Sequence, residues 1–230
     1  MNAARQDPVA RKPSRAERAR GTRHRIVEAA AALFAAPGYP ATTMERIAQD
    51  AGVAVQTVYY TFGTKGALLC AAMDYASAGQ HDPDPVMQRA WIARVMNAPT
   101  GGRALAIALS NGVDIYARAA PLWPAIRAAS SDPTVVSYWE GVGRGRRIGM
   151  QQVVDRLARM GALREDVDAA RAGDILFTLH SHDSYTTLVT DASWPLPEYK
   201  SWLHGVCVQQ LLRLDAVGPL DLDGLGYASS

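Results

Sequence analysis

Residues 51–65 read AGVAVQTVYYTFGTK, and the reading of this stretch decides the fold. Gly52 and Gly63 bracket one short helical segment, Val55 to Tyr60, that carries two adjacent tyrosines. Glycine suits such brackets because it enters the left-handed turn that ends a helix. Immediately upstream, ATTMERIAQDAGV reads as a second helix. Thr42 and Glu45 have the S/T-x-x-E spacing of a capping box, and the helix runs through Ile47 and Ala48 to Gly52. Further upstream, Ile26, Ala30, Leu33 and Phe34 fall at i, i+4, i+7 and i+8, one face of a helix that starts near Thr22 and ends at Pro37-Gly38. Downstream, a longer helix is predicted from Lys65 through Leu68, Leu69 and Met73 to about Ala78.

Two helices joined by a tight glycine turn make a helix-turn-helix, in which the first helix braces across a DNA backbone and the second lies in the major groove. The apolar positions Ile47, Ala48, Val53, Val58 and Phe62 are expected to pack on Ile26 and Leu33. Val55, Gln56, Thr57, Tyr59, Tyr60 and Thr61 then face outward. Gln56 can donate to and accept from adenine, and Val55 can touch a thymine methyl. Thr57 and a tyrosine hydroxyl can bond phosphate oxygen. Lys65 sits at a helix N-terminus, which already favours an anion. On this reading the tyrosines are exposed because a DNA backbone covers them; the alternative is a ring packed into a small core.

The totals agree with an ordinary globular protein: 230 residues, 48% hydrophobic, 20% charged, net charge +2. Two distant cysteines, Cys70 and Cys207, form neither a disulfide framework nor a metal cluster by spacing. No apolar run reaches the roughly 18 residues that span a bilayer, and the N-terminus lacks the apolar core of a signal peptide. The expected compartment is the cytoplasm, with no membrane partner. The charge is unevenly placed. Residues 1–25 hold eight Lys/Arg against two acids, a surplus of six, so the other 205 residues carry a net −4. Residues 1–21, with Pro8, Pro13 and Gly21, read as a disordered basic arm, either a polyanion contact or a solubilising tail.

The remainder reads as helices near 85–97, 101–119, 122–130, 133–160, 167–191 and 197–214, with a loop-like tail from Pro219; the fold class is all-α. In the helix at 133–160, Gly141, Gly145 and Gly149 share one face. Glycine inside a helix costs about 1 kcal/mol each, so the face is expected to serve either close approach of a neighbouring helix, the favoured reading, or room for a ligand. The run LHSHDSY sets His180, Asp183 and Ser184 on one helical face with His182 elsewhere. A metal site lacks further ligands at suitable spacing, and a Ser-His-Asp hydrolase lacks a G-x-S-x-G turn. A hydrogen-bonded pair at a dimer seam or pocket edge is the preferred reading, with effector capture as the alternative. No catalytic residue, metal or cofactor is expected.

Residues 22–70, through LFAAPGY and GYPATTMERIAQDAGVAVQTVYYTFGTKGALL, resemble the DNA-binding domain of the tetracycline-repressor (TetR) family of bacterial transcriptional regulators. RAGDILFTLHSHDSYTTLVTDASWPLPEYKSWL is similar to the final helix pair of one regulator subgroup. The resemblance implies an N-terminal three-helix helix-turn-helix domain at 22–66, an effector-binding and dimerisation domain at 67–218, and a tail at 219–230. It implies a homodimer on a palindromic double-stranded operator, more often a repressor, released by a small-molecule effector whose identity is open. Carried over residue by residue, DNA contact falls on Thr42 or Thr43, Val55, Gln56, Thr57, Tyr59, Tyr60 and Lys65. Ala54 departs from the usual capping serine, Gln56 from a small residue, and Thr61 from histidine. An effector pocket is expected among Trp91, Tyr116, Trp123, Trp139, Arg146, His180 and Asp183. An isologous dimer interface is expected on the last two helices, through Leu176, Leu179, Leu188, Trp202, Val206 and Leu211, because these present more apolar surface than one packed face needs.

Overall fold

Ser14 starts the first helix: its hydroxyl accepts the Glu17 N–H while the Glu17 carboxylate accepts the Ser14 N–H. The bond from the Ser14 backbone holds the Glu17 carboxyl below its ordinary range. α1 therefore spans Arg15–Ala35 and begins seven residues before the predicted Thr22. The S-x-x-E signal is present in the sequence. The apolar face begins only at Ile26, however, so periodicity misses a first half whose side chains are polar and exposed. Arg15, Arg18 and Arg20 ride on a helix rather than on a loose arm. The structure, a computed structural model, describes residues 14–79, 90–219, 225 and 227; residues 1–13 of the expected arm lie outside the described residues.

α2 (Met44–Asp50) and α3 (Val55–Phe62) complete the head. Thr43, not Thr42, caps α2, its hydroxyl accepting the Arg46 N–H at 3.2 Å. Thr42 is 1% exposed, and its hydroxyl reaches the carbonyls of Leu33 (3.0 Å) and Gly38 (2.8 Å), groups left open where α1 ends. Lys65 ties down the same loop: its Nζ donates to Tyr39 O at 2.9 Å and Thr42 O at 3.1 Å and lies 4.2 Å over the Tyr39 ring. Gly52 and Gly63 have φ of +65° and +73°, a region a Cβ disfavours, which is why glycine brackets α3. Ile26, Ala30, Phe34, Met44, Ile47, Val58 and Leu68 are at most 5% exposed and form the head core.

Thr64 caps α4 (Lys65–Ala78), which leaves the head and enters the body. Among the described residues the body is α5 (Ala90–Met96), α6 (Gly101–Ala119), α7 (Trp123–Ala128), α8 (Pro133–Arg159), α9 (Ala169–Leu179), α10 (His182–Tyr185) and α11 (Leu196–Leu211). α6 is buried along most of its length, with α4, α5, α8 and α11 around it. The predicted single helix over 167–191 is broken. His180 leaves helical geometry (φ −86°, ψ 73°), Ser181 caps α10 by accepting the Ser184 N–H, and a π-turn at Thr186–Asp191 follows. The break has tertiary causes. Tyr116 and Arg146 donate to the His180 carbonyl at 3.1 and 3.3 Å, taking it out of the helical ladder.

Two positions of the loop-like tail, Leu225 and Tyr227, pack on the body. Leu225 is 5% exposed, and its carbonyl accepts from Ser110 and from Lys200 Nζ. Lys200, 4% exposed, pairs with Asp114 Oδ1 at 2.7 Å, so its buried charge is matched. Tyr227 donates to Ala106 O at 2.8 Å.

Candidate functional site

α3 presents an outward edge. Tyr60 is 94% exposed and Tyr59 47%, while Val58 on the opposite side is fully buried. The packed alternative for Tyr60 is thereby excluded. Gln56 is exposed, and Val55 and Thr57 are half-buried at the rim. Of the two threonines offered for DNA contact, Thr43 is exposed at the start of α2. Thr42 is a correction: a buried hydroxyl engaged with two carbonyls cannot reach a duplex. Ala54 makes no side-chain cap bond to α3. The Thr61 hydroxyl donates back to Thr57 O at 2.7 Å. Two of the three N–H groups of Lys65 are used inside the head. Basic residues counted only as charge have local work: Arg23 lies 4.5 Å over the Phe62 ring, and Arg25 Nε donates to Ala51 O at 3.3 Å.

The body holds a partly open cavity of about 390 Å³ between α4, α5, α6, α8 and α9. Trp91, Tyr116, Trp123, Trp139, Arg146 and His180 all line it, six of the seven residues expected to do so. Asp183 does not. It is largely exposed, lies 3.0 Å from His182 Nε2, and borders a smaller recess of about 270 Å³. The break at His180 reverses the expected facing: His180 and His182 line the cavity together, and Asp183 turns out. His182 sets its ring edge-on to Trp139 (5.0 Å) and Trp123 (5.5 Å). Tyr138 also lines the wall and donates to Asp74 Oδ1 on α4 at 2.8 Å.

Gly141, Gly143 and Gly145 of α8 have open space beside them rather than a packed neighbour. A Cβ at Gly143 or Gly145 would meet nothing within 4 Å, and at Gly141 only an Arg144 Nη2 at 3.8 Å. Gly143, Gly145 and Gly149 line the cavity. At Gly141 and Gly145 no neighbouring helix of the protomer comes close, against the favoured reading.

Burial sets the protonation states here. His180 is held neutral, its pKa pushed down to about 3 by desolvation and then by the Arg146 charge. Burial pushes the Tyr116 hydroxyl up to about 12 and raises the Asp74 carboxyl above its ordinary range. Burial also lowers His182.

The residues expected at a dimer seam divide. Leu176 and Leu211 are fully buried within the protomer, which removes them from any surface; Leu176 instead lines the cavity. Helical periodicity shows an apolar stripe but not which neighbour covers it. Leu179, Leu188, Trp202 and Val206 remain half-exposed.

A three-helix head with an exposed third helix is carried on a helical body with an apolar cavity: a helix-turn-helix joined to a domain with room for a ligand. Residues 26–72 match the family described as bacterial regulatory proteins, tetR family. A relative from Pseudomonas putida, described as the uncharacterised HTH-type transcriptional regulator TtgW, is 37% identical over 87 residues. That stretch is 35% of this chain and 63% of the relative's length, so the match spans less than two thirds of that protein. The fold is shared with the transcriptional regulator FadR from Bacillus subtilis in complex with stearoyl-CoA (TM-score 0.65, 21% identity, 80% of this chain and 97% of that one). It is also shared with a transcriptional regulator from Saccharomonospora viridis in complex with choline (TM-score 0.65, 16% identity, 83% and 97%).

Proposed function

We propose that the chain is a sequence-specific transcriptional repressor, working as a homodimer on a palindromic operator and released when a small molecule enters the 390 Å³ cavity. The observation that carries this reading is the pairing of Tyr60, 94% exposed on α3, with an aromatic cavity in the body behind it. In a groove, Gln56 would read a base, Val55 a thymine methyl, and Thr43, Thr57, Tyr59 and Tyr60 the phosphates and sugars. Lys65 would act chiefly by fixing the α1–α2 loop, with one N–H left for phosphate.

The route from cavity to head is physical. α8 lines the cavity through Trp139 and Arg146, and its first turn abuts α4 at Gly66. Tyr138 adds a second tie, to Asp74 on α4. A ligand that shifts α8 would therefore carry α4, and with it the head. Half-sites lie about 34–36 Å apart along one DNA face, so a shift of a few ångströms in one head loses its contacts. The ligand can move this equilibrium only by its differential affinity for the two arrangements. Bound ligands in two proteins of this fold, stearoyl-CoA and choline, support a ligand-holding body without identifying this chain's effector.

Selection of bound fragments from random DNA at moderate salt tests the reading. A palindromic winner with half-sites one helical turn apart is expected. Affinity that falls with salt but does not vary with sequence would overturn it.

A further inference from the structure

We propose that the ligand of the body cavity is an apolar, ring-bearing acid whose anionic group seats between Arg146 and His180. This rests on the effector reading of the cavity and adds the chemical class of the ligand.

Arg146 is pinned in one orientation. Its Nη2 donates to Phe177 O at 2.8 Å and His180 O at 3.3 Å, and its guanidinium lies 4.0 Å over the Phe177 ring. Its buried Nε has no hydrogen-bond partner and its charge no carboxylate partner among the described residues. His180 is 2% exposed, and neither ring nitrogen has a partner among the described residues. The ring is held by packing alone, 4.9 Å from the Tyr116 ring and against Gly112, where a Cβ would fall 2.2 Å from Cε1. Buried polar atoms are ordinarily paired, and an unpaired one is costly. Arg146 and His180 line the same cavity, but these nitrogens have almost no accessible surface, so the His180 ring must turn to meet a ligand that supplies acceptors.

The chemistry selects among ligands. A neutral imidazole offers one N–H, and Arg146 offers a second that carries charge. A carboxylate accepts both, in the strong charge-assisted form. An ammonium would set like charge against Arg146. Asp74, the carboxylate among the lining residues, already accepts from Tyr138. The rest of the ligand meets Trp91, Trp123, Trp139 and Tyr116, flat walls suited to a ring. The volume suits a ligand of two or three rings.

Three probes of one shape test this on the purified full chain: 2-naphthoate, 2-naphthamide and 2-naphthylmethylammonium. Binding is read by calorimetry and by quenching of tryptophan fluorescence. Naphthoate is expected to bind about ten-fold more tightly than the amide, and the ammonium most weakly. Arg146→Gln should bring naphthoate down to the amide's affinity and leave the amide nearly unchanged. If that variant does not fold, the comparison of the three probes on the unaltered chain still decides. An amide that matches naphthoate, or an ammonium that exceeds it, overturns the acid class while the effector reading stands. Failure of all three to bind overturns both.

Discussion

The α-carbon of Gly66, in the first turn of α4, lies against the carboxylate of Asp132, so close that an added methyl would come 2.2 Å from Oδ2. That carboxylate is not idle: its Oδ1 accepts the Thr134 N–H at 2.9 Å and caps α8. The end of the cavity helix and the start of the helix leaving the head thus meet without a side chain between them. Gly66→Ala must displace the cap. A loss of about 1 kcal/mol, the size of an N-cap, is expected in chemical denaturation. The variant should also need more ligand for release from DNA, while its affinity for DNA alone changes less. An unaltered release curve would remove this joint from the signalling route.

α3 lacks a side-chain cap because Ala54 stands at its N-cap position. Ala54→Ser supplies an acceptor for the open N–H groups and should stabilise the head by about 1 kcal/mol. Thermal melting measures the gain, and no rise in Tm would show that the position cannot adopt cap geometry.

Stability and recognition separate by residue. Thr42→Val removes a buried donor shared by Leu33 O and Gly38 O, and should destabilise by about 1–3 kcal/mol. Gln56→Ala touches no buried group and should leave melting unchanged, while shifting preference at one base position by about 1–3 kcal/mol. Binding to a panel of single-base operator variants reads the second effect. A uniform loss across the panel would mean that Gln56 contacts the backbone only.

Acid should weaken the fold partly through His180. Its pKa falls from the ordinary 6.5 to about 3 in the folded chain. Above pH 6.5 neither state holds the proton and this preference is without effect on pH dependence. Below it the unfolded chain takes up a proton that the fold refuses, and stability falls by about 1.4 kcal/mol per pH unit until the folded value is approached. His182 and His204, both lowered by burial, act in the same direction. Asp74, raised by burial, acts oppositely, because its folded form favours the proton. His180→Leu should flatten the denaturant midpoint against pH by about one proton over this window. An unchanged slope would show that the ring is not dry.

The expected seam divides into interior and surface positions. Leu176→Ala empties a fully buried site and should destabilise by about 2–5 kcal/mol without altering assembly of the folded fraction. Trp202→Glu alters a half-exposed ring and should shift the chain toward monomer in light scattering, with the protomer still folded. A Trp202 variant that remains dimeric would place the seam elsewhere.

The head was legible from the chain alone because its signals are local. Gly52 and Gly63 mark turns that need positive φ, and Ile26, Ile47 and Val58 sit on the apolar faces that their helices bury. Even the early start of α1 was written in Ser14 and Glu17. Which threonine caps α2 was not, since Thr42 and Thr43 compete, and the choice depends on where the Leu33 and Gly38 carbonyls lie. The body shows the same limit more strongly. Residue types nominated six of the cavity-lining side chains, yet the helix break at His180 comes from Tyr116 and Arg146, distant in sequence. That break decides that His182 faces inward and Asp183 outward. Periodicity marked Leu176 and Leu211 as apolar, but only the neighbours packed on them decide whether such a stripe is core or interface. Local backbone chemistry travels with the sequence; what covers a side chain depends on contacts between distant segments, and these exist only in the folded chain.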